Sequence, residues 1–181
     1  VKTIWITLIL IISLFSFSCS VENDGEITDI RNAIYPDIAL QQATYQVSRG
    51  DNNPFFVEGE IIEIYKDLNK TFVTNASFVQ YNSKKEVLLK GSFGEAQIDT
   101  LTNDIELLNS VSITIYPDEL NIEGKSMSYN SDKNIVTGKD DEVITLSNKK
   151  GDILKGRGFK GDLKKTLFEF SELEEGVLNY E

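Results

Sequence analysis

Histidine is absent from the 181 residues, and cysteine occurs once, as Cys19. Without histidine there is no Ser-His-Asp or Cys-His nucleophile arrangement, no imidazole ligand for zinc, and no use of the commonest general base. A single cysteine excludes an internal disulfide framework and any CxxC chemistry. Cations are also in short supply: 18 Lys+Arg stand against 29 Asp+Glu, a net charge of -11. Such a chain makes a poor partner for nucleic acid, whose phosphates are held by clustered Lys and Arg. What remains is 40% hydrophobic and 10% aromatic, enough to fill the core of one domain. Most enzyme classes and metal cofactors drop out, and no cofactor is expected.

The first 18 residues differ from the rest. Lys2 is their only charge, and Thr3–Phe17 is an apolar run of 15 residues. A membrane-spanning helix needs roughly 20 apolar residues, so the run suits the core of a signal peptide. Ser16, Ser18 and then Cys19 follow. That order resembles a bacterial lipoprotein signal in which Cys19 is lipidated and becomes the first residue of the mature chain. Ser16 stands where such signals usually carry Leu, a loosened pattern of the spirochaete type. An uncleaved signal anchor is the alternative, and both place the rest of the chain outside the cytoplasm. Cleavage after residue 18 removes Lys2 and leaves 17 cations against 29 acids, or -12. Residues 19–33 are expected to be a tether; the fourteen after Cys19, residues 20–33, are polar and acidic and reach about 50 Å when extended at ~3.3–3.6 Å each.

From Ile34 onward a period of two dominates, which predicts antiparallel β-structure. In the clearest run Ile105, Leu107, Val111, Ile113 and Ile115 share one face, opposite Glu106, Ser110, Ser112 and Thr114, with Asn109 interrupting the apolar series. Further strands are expected at 38–47, 55–65, 71–80, 86–98, 120–129, 134–137, 142–147, 153–160 and 166–171. Between them lie turn sequences such as Asp51-Asn52-Asn53-Pro54, Thr102-Asn103-Asp104 and Asn148-Lys149-Lys150-Gly151. These are rich in residues that tolerate the left-handed region or fix φ. A faint repeat runs through the series. Ala96–Asp99, Met127–Asn130 and Phe159–Asp162 each end a strand at Asp or Asn and precede a returning apolar strand. Stacked hairpins of this kind bury one continuous face and leave open edges at both ends.

In order and spacing the body resembles LptC, the periplasmic component of the lipopolysaccharide-export transporter, and more widely the LptA/OstA-type β-jellyrolls. The resemblance covers residues 34–172. It is carried by Pro36–Leu40 to Tyr45, by the Ala96–Leu107 run, and by Val111-Ser112-Ile113. Ser128-Tyr129-Asn130 and Leu154–Phe159 with Asp162 complete it. It implies an all-β, antiparallel, twisted jellyroll of stacked hairpins with an apolar groove that passes lipid acyl chains, with residues 173–181 an acidic tail. Implied partners are lipopolysaccharide or a related glycolipid, an inner-membrane ABC transporter complex, and a LptA-like jellyroll joined by strand addition. The implied place is the periplasm, anchored to the inner membrane. ATP hydrolysis is left to partner subunits, since the chain has no phosphate-binding loop motif.

The groove lining is expected from Phe78, Ile98, Ile105, Leu107, Val111, Ile113, Leu120, Ile122 and Phe168; the competing reading makes them ordinary core residues. The partner edge is expected at Thr166, Leu167, Phe168, Glu169 and Phe170, or else that strand closes the sheet internally. The functional alternative to transport is a closed barrel or sandwich lipoprotein that binds an apolar ligand or serves structurally. Other motifs carry no function. Gly156–Gly161 fits GxGxxG but lacks the following helix and second strand. Asn130–Asn134 starts like a calcium loop but has Ile135 where glycine is needed. Asp140-Asp141-Glu142 and Glu172, Glu174, Glu175 read as solvated charge rather than a glycosidase pair, and the sequons at Asn69 and Asn75 as chance.

Overall fold

The structure, a computed structural model, describes residues 34–47 and 53–179. The signal segment, Cys19 and the tether lie outside these residues. The described fold belongs to a compact unit that begins at Tyr35. It is all-β: fourteen strands join one antiparallel sheet. Four long strands come first, β1 (Ile38–Val47), β2 (Phe55–Tyr65), β3 (Lys70–Tyr81) and β4 (Val87–Asp99). Ten short ones follow: β5 (Ile105–Leu108), β6 (Val111–Ile115), β7 (Leu120–Gly124), β8 (Met127–Asn130), β9 (Ile135–Gly138), β10 (Ile144–Ser147), β11 (Ile153–Arg157), β12 (Lys160–Asp162), β13 (Leu167–Glu169) and β14 (Glu172–Val177).

The short strands are halves of longer ones. Glu95–Ile98 of β4 pairs with β5, whereas Leu89–Ser92 of the same strand pairs with β6. From β5 the order runs β8, β9, β12, β13, here arm A; from β6 it runs β7, β10, β11, β14, here arm B. The chain therefore crosses from one arm to the other within each of β5–β6, β7–β8, β9–β10, β11–β12 and β13–β14. The jellyroll is a meander of nine strands, five of them broken at the middle.

The breaks fall on one line across the sheet. It begins at Gln42, Glu60 and Asn75, which interrupt an otherwise continuous register between β1, β2 and β3, and Asn75 donates to Glu60 Oε2 at 2.8 Å. It continues through Gly94, Asn109 and Ser110, then Gly158 and Ser171. Gln42, Asn75, Asn109, Ser110 and Gly158 have φ between 47 and 68°, the left-handed kinks expected of bulges. Gly94 donates its N–H to the Asn109 carbonyl at 2.8 Å, and a Cβ there would stand 2.6 Å from that oxygen. At Gly158 a Cβ would lie 1.7 Å from Ser171 Oγ. Asn109, which breaks the apolar alternation of the sequence, marks the line where the chain changes arm.

The remaining left-handed residues form a second series. Asn69, Lys85, Asn103, Glu119, Asn134, Gly151 and Thr166, with φ from 52 to 87°, each lie four residues beyond the end of a strand. Every hairpin turn in the meander from β2 to β13 thus places its left-handed residue at the same position, and the β6–β7 turn adds a cis Tyr116–Pro117 bond. On arm A the strand-ending residue also acts as a brace: Asp99 Oδ1 accepts from the amides of Leu101 and Thr102, Asn130 Oδ1 from Lys133, and Asp162 Oδ1 from Lys164 and Lys165. These are the three repeat positions of the sequence.

Two expectations change, and the expected open sheet is found. The runs 120–129 and 153–160 are each two strands rather than one, because the fold line divides them. Residues 173–181 are not simply a tail: Glu172–Val177 form β14 and pair with β11, with Lys155–Glu175 at 2.6 Å and Arg157–Glu174 at 2.7 Å. The sheet does not close into a barrel, because β1 pairs only with β2 while β13 and β14 pair only with β12 and β11 among the described residues.

Candidate functional site: the cleft between the arms

Alternation along each strand sends one set of side chains between the arms, where a single core forms. Ile62, Val73, Ile98, Ile122, Met127, Val136, Ile144 and Phe159 are all at most 2% exposed. Burying each is worth roughly 1.5–3 kcal/mol, so this packing holds the arms together. Phe159 is stacked on Phe168 (6.2 Å between ring centres) and tilted against Phe170 (5.3 Å), which closes the core near its C-terminal edge.

Two connected spaces remain between the arms. The inner one is about 40 Å³ and wholly apolar, bordered by Phe55, Val57, Phe78, Leu89, Phe93, Ala96, Ile98, Ile105, Leu107, Ile113, Tyr129, Val136 and Leu163. The outer one, about 430 Å³, opens at the tips of the arms. Phe55, Leu89, Ile105, Tyr129 and Leu163 border both. Phe55 comes from β2 and Tyr129 from β8 on arm A; their rings meet edge to face at 5.8 Å and stand between the mouth and the inner cleft. Tyr129 Oη donates to Asn134 Oδ1 at 3.0 Å. Burial, with a smaller contribution from the Asp104 carboxylate, raises the Tyr129 phenol above its ordinary value and keeps it a neutral donor.

Of the expected lining residues, Phe78, Ile98, Ile105, Leu107 and Ile113 border the inner cleft. Val111 and Ile122 are buried away from it, Leu120 is half-buried, and Phe168 packs on Phe159. Phe55, Leu89, Phe93, Tyr129 and Leu163 were not among the expected residues. Alternation identifies the inward face of a strand but not which part of the interior stays empty. Of the expected edge residues, Thr166 is the left-handed turn residue, Leu167–Glu169 are β13, and Phe170 leads into the fold line. The outward side of β13 continues along β14, so the open edge is about twice as long as expected.

Exposed apolar side chains lie at both edges, with Tyr81 and Leu101 exposed elsewhere. Ile38 and Leu40 lie on β1, while Leu167, Leu173 and Val177 lie on β13–β14. Among the described residues, no group of three or more Asp, Glu, His or Cys side chains is placed to hold a metal ion. No helix there is long and apolar enough to cross a membrane.

No curated protein matches the chain. A family model does, described as lipopolysaccharide-assembly, LptC-related, and it aligns with residues 4–178. This is a family of transport components rather than of enzymes. Its members are periplasmic, associated with the inner membrane, and work with the transporter complex in moving lipopolysaccharide. The open jellyroll with its apolar cleft fits that work, and the chain belongs to the LptC-related family.

Proposed function

We propose that the protein receives a glycolipid from an inner-membrane ABC transporter complex, holds an acyl chain between its arms, and passes it to a LptA-like jellyroll. The observation that carries this reading is the cleft itself, a mouth of mixed polar and apolar lining beside a wholly apolar interior. Each CH₂ moved from water into such a lining is worth about 0.8 kcal/mol. The inner space of 40 Å³ is far below the ~300–1,000 Å³ of a ligand pocket, whereas the mouth falls within that range. A lipid chain therefore enters by parting Phe55 from Tyr129 and widening the arms about the fold line. Transfer stays easy because the arms regain their own contacts when the chain leaves.

The edges supply the route in and out. An open strand edge offers unpaired N–H and C=O groups to a partner strand. In this reading β1 meets the transporter's own jellyroll, and β13–β14 take the LptA-like partner. An anchor in the N-terminal segment, either lipid on Cys19 or the uncleaved apolar run, keeps the domain near the inner membrane.

The test is photo-crosslinking in cells with a photoreactive residue at Ile105 or Ile113, and separately at Leu167 or Glu169. Glycolipid adducts from the first pair and adducts to another β-jellyroll protein from the second are expected. Adducts confined to the chain itself would mean a filled, structural core and would end the transport reading.

A further inference from the structure

The mouth of the cleft differs from the rest of this acidic chain in its chemistry. Its polar lining consists of Asn53, Gln80, Asn103, Ser131, Asn134 and Thr166, two tyrosines (Tyr116 and Tyr129) and one cation, Lys164; no carboxylate lines it. The chain has 29 Asp+Glu, so a site with amides and hydroxyls but no acid is a distinct environment.

The repeated turn geometry accounts for the arrangement. Asn103, Asn134 and Thr166 are the left-handed residues of the β4–β5, β8–β9 and β12–β13 turns. These turns are neighbours along arm A, two strands apart, so the three side chains step along the lip at roughly 10 Å intervals. Each turn is tied to the next. Asp104 accepts from Ser131 N at 2.8 Å and from Asn130 Nδ2 at 3.1 Å, and the Asn134 carbonyl accepts from Leu163 N at 3.0 Å. The lip is thus held in place before any ligand arrives, which lowers the entropy cost of binding. On the facing lip, Gln80 Nε2 is fixed by the Asn53 carbonyl at 2.6 Å.

We infer that this lip reads the lipid through the uncharged hydroxyls of its saccharide head, and not through phosphate. Amides both donate and accept, as sugar hydroxyls do; Tyr116 already carries Lys90 Nζ over its ring at 5.4 Å and Tyr129 packs against Phe55, so the reading rests on the amides and hydroxyls. Phosphate is held instead by clustered Arg or Lys. Here a single lysine lines the mouth. On the β3–β4, β6–β7 and β10–β11 turns, Lys84, Lys85, Lys149 and Lys150 are balanced by Glu86, Asp118, Glu119 and Asp152. The inference rests on the lipid-carrier reading and adds which part of the lipid is recognised.

The test uses the full chain in a mild non-ionic detergent and three fluorescent-acyl lipids with identical chains: monogalactosyl diacylglycerol, phosphatidylglycerol and diacylglycerol. The galactosyl lipid is expected to bind roughly tenfold more tightly than phosphatidylglycerol, as one or two net hydrogen bonds allow. The double variant N103G/T166G keeps the left-handed turns unstrained and leaves the Asn134 bond to Tyr129 intact. It is expected to bring galactosyl-lipid binding down to the diacylglycerol level and to leave diacylglycerol binding unchanged. Tighter, salt-sensitive binding of phosphatidylglycerol, or a double variant that binds the galactosyl lipid as before, overturns the inference but leaves the carrier reading standing. Failure of all three lipids to bind overturns both.

Discussion

The two ends of the sheet have the same geometry and opposite chemistry. At one end β1 runs Ile-Ala-Leu-Gln-Gln-Ala-Thr-Tyr-Gln-Val, ten residues without a charge. At the other, β13 and β14 carry Glu169, Glu172, Glu174 and Glu175 over a similar length. Both edges expose apolar side chains, and among the described residues both have an unpaired outer side. Charge is a usual protection against unwanted strand pairing, and only one end has it. The acids of β14 also do structural work, because Arg157 and Lys155 hold Glu174 and Glu175 against β11. If the edges are the interfaces proposed above, the difference suits them to different strands: a neutral one at β1, and one able to meet carboxylates at β13–β14. A chain with two identical edges would polymerise with itself as readily as with its partners.

Neither edge is expected to hold the fold together, in contrast to the core between the arms. Phe159 is 1% exposed and Ile144 fully buried. Phe159→Ala is expected to cost about 3–5 kcal/mol and Ile144→Ala about 2–5 kcal/mol, read by denaturant unfolding. Removal of residues 172–181, by contrast, deletes a strand whose six residues are all exposed. That truncation is expected to reduce crosslinking from Leu167 to the jellyroll partner at least tenfold while the thermal midpoint moves little. If it unfolds the domain instead, β14 belongs to the core and the contrast between edge and core is lost.

A smaller effect separates the two ends from each other. Thr44→Lys places a charge on the neutral edge, and is expected to weaken association with the transporter complex severalfold in pull-downs without changing capture of the LptA-like partner. Glu172→Lys should do the reverse. Equal losses at both partners from either variant would show that the edges are not distinct.

The smallest expected effect concerns pH. Hydrogen bonds from the Thr102 amide to Asp99, the Asn179 amide to Asp152 and the Lys165 amide to Asp162 favour the ionised carboxylates and hold all three below the ordinary value of 3.8. A group depressed on folding stabilises the folded state above its unfolded pKa, and that contribution is lost as pH falls below about 4 toward the folded value. The thermal midpoint is therefore expected to fall between pH 5 and pH 3. The drop should be slightly smaller in Asp99→Asn, whose side-chain oxygen still accepts the turn amides but does not titrate. A larger drop in that variant would contradict the assignment.

Much of the architecture was legible because alternation and burial coincide in half-buried strands. β1 and β2 begin and end at the expected residues, 38–47 and 55–65. Asn109 gave a visible sign of the fold line by interrupting an apolar series, whereas Gln42 and Ser110 adopt left-handed conformations that their side chains do not advertise. The turn series was half visible for the same reason: Asn69, Asn103, Asn134 and Gly151 are residues that tolerate positive φ, but Lys85, Glu119 and Thr166 are not. β14 escaped notice because a strand at an open edge needs backbone pairing rather than an apolar face, and Glu172, Glu174 and Glu175 look like solvated tail. The mouth of the cleft was hidden too, since it is assembled from turns far apart in sequence.

In the proposed reading the two open edges are working interfaces of different kinds. Amide hydrogen exchange on the full chain, with and without the LptA-like partner, distinguishes them. New protection is expected along Leu167–Val177 and none along Ile38–Val47. Protection of both edges, or of neither, would contradict it.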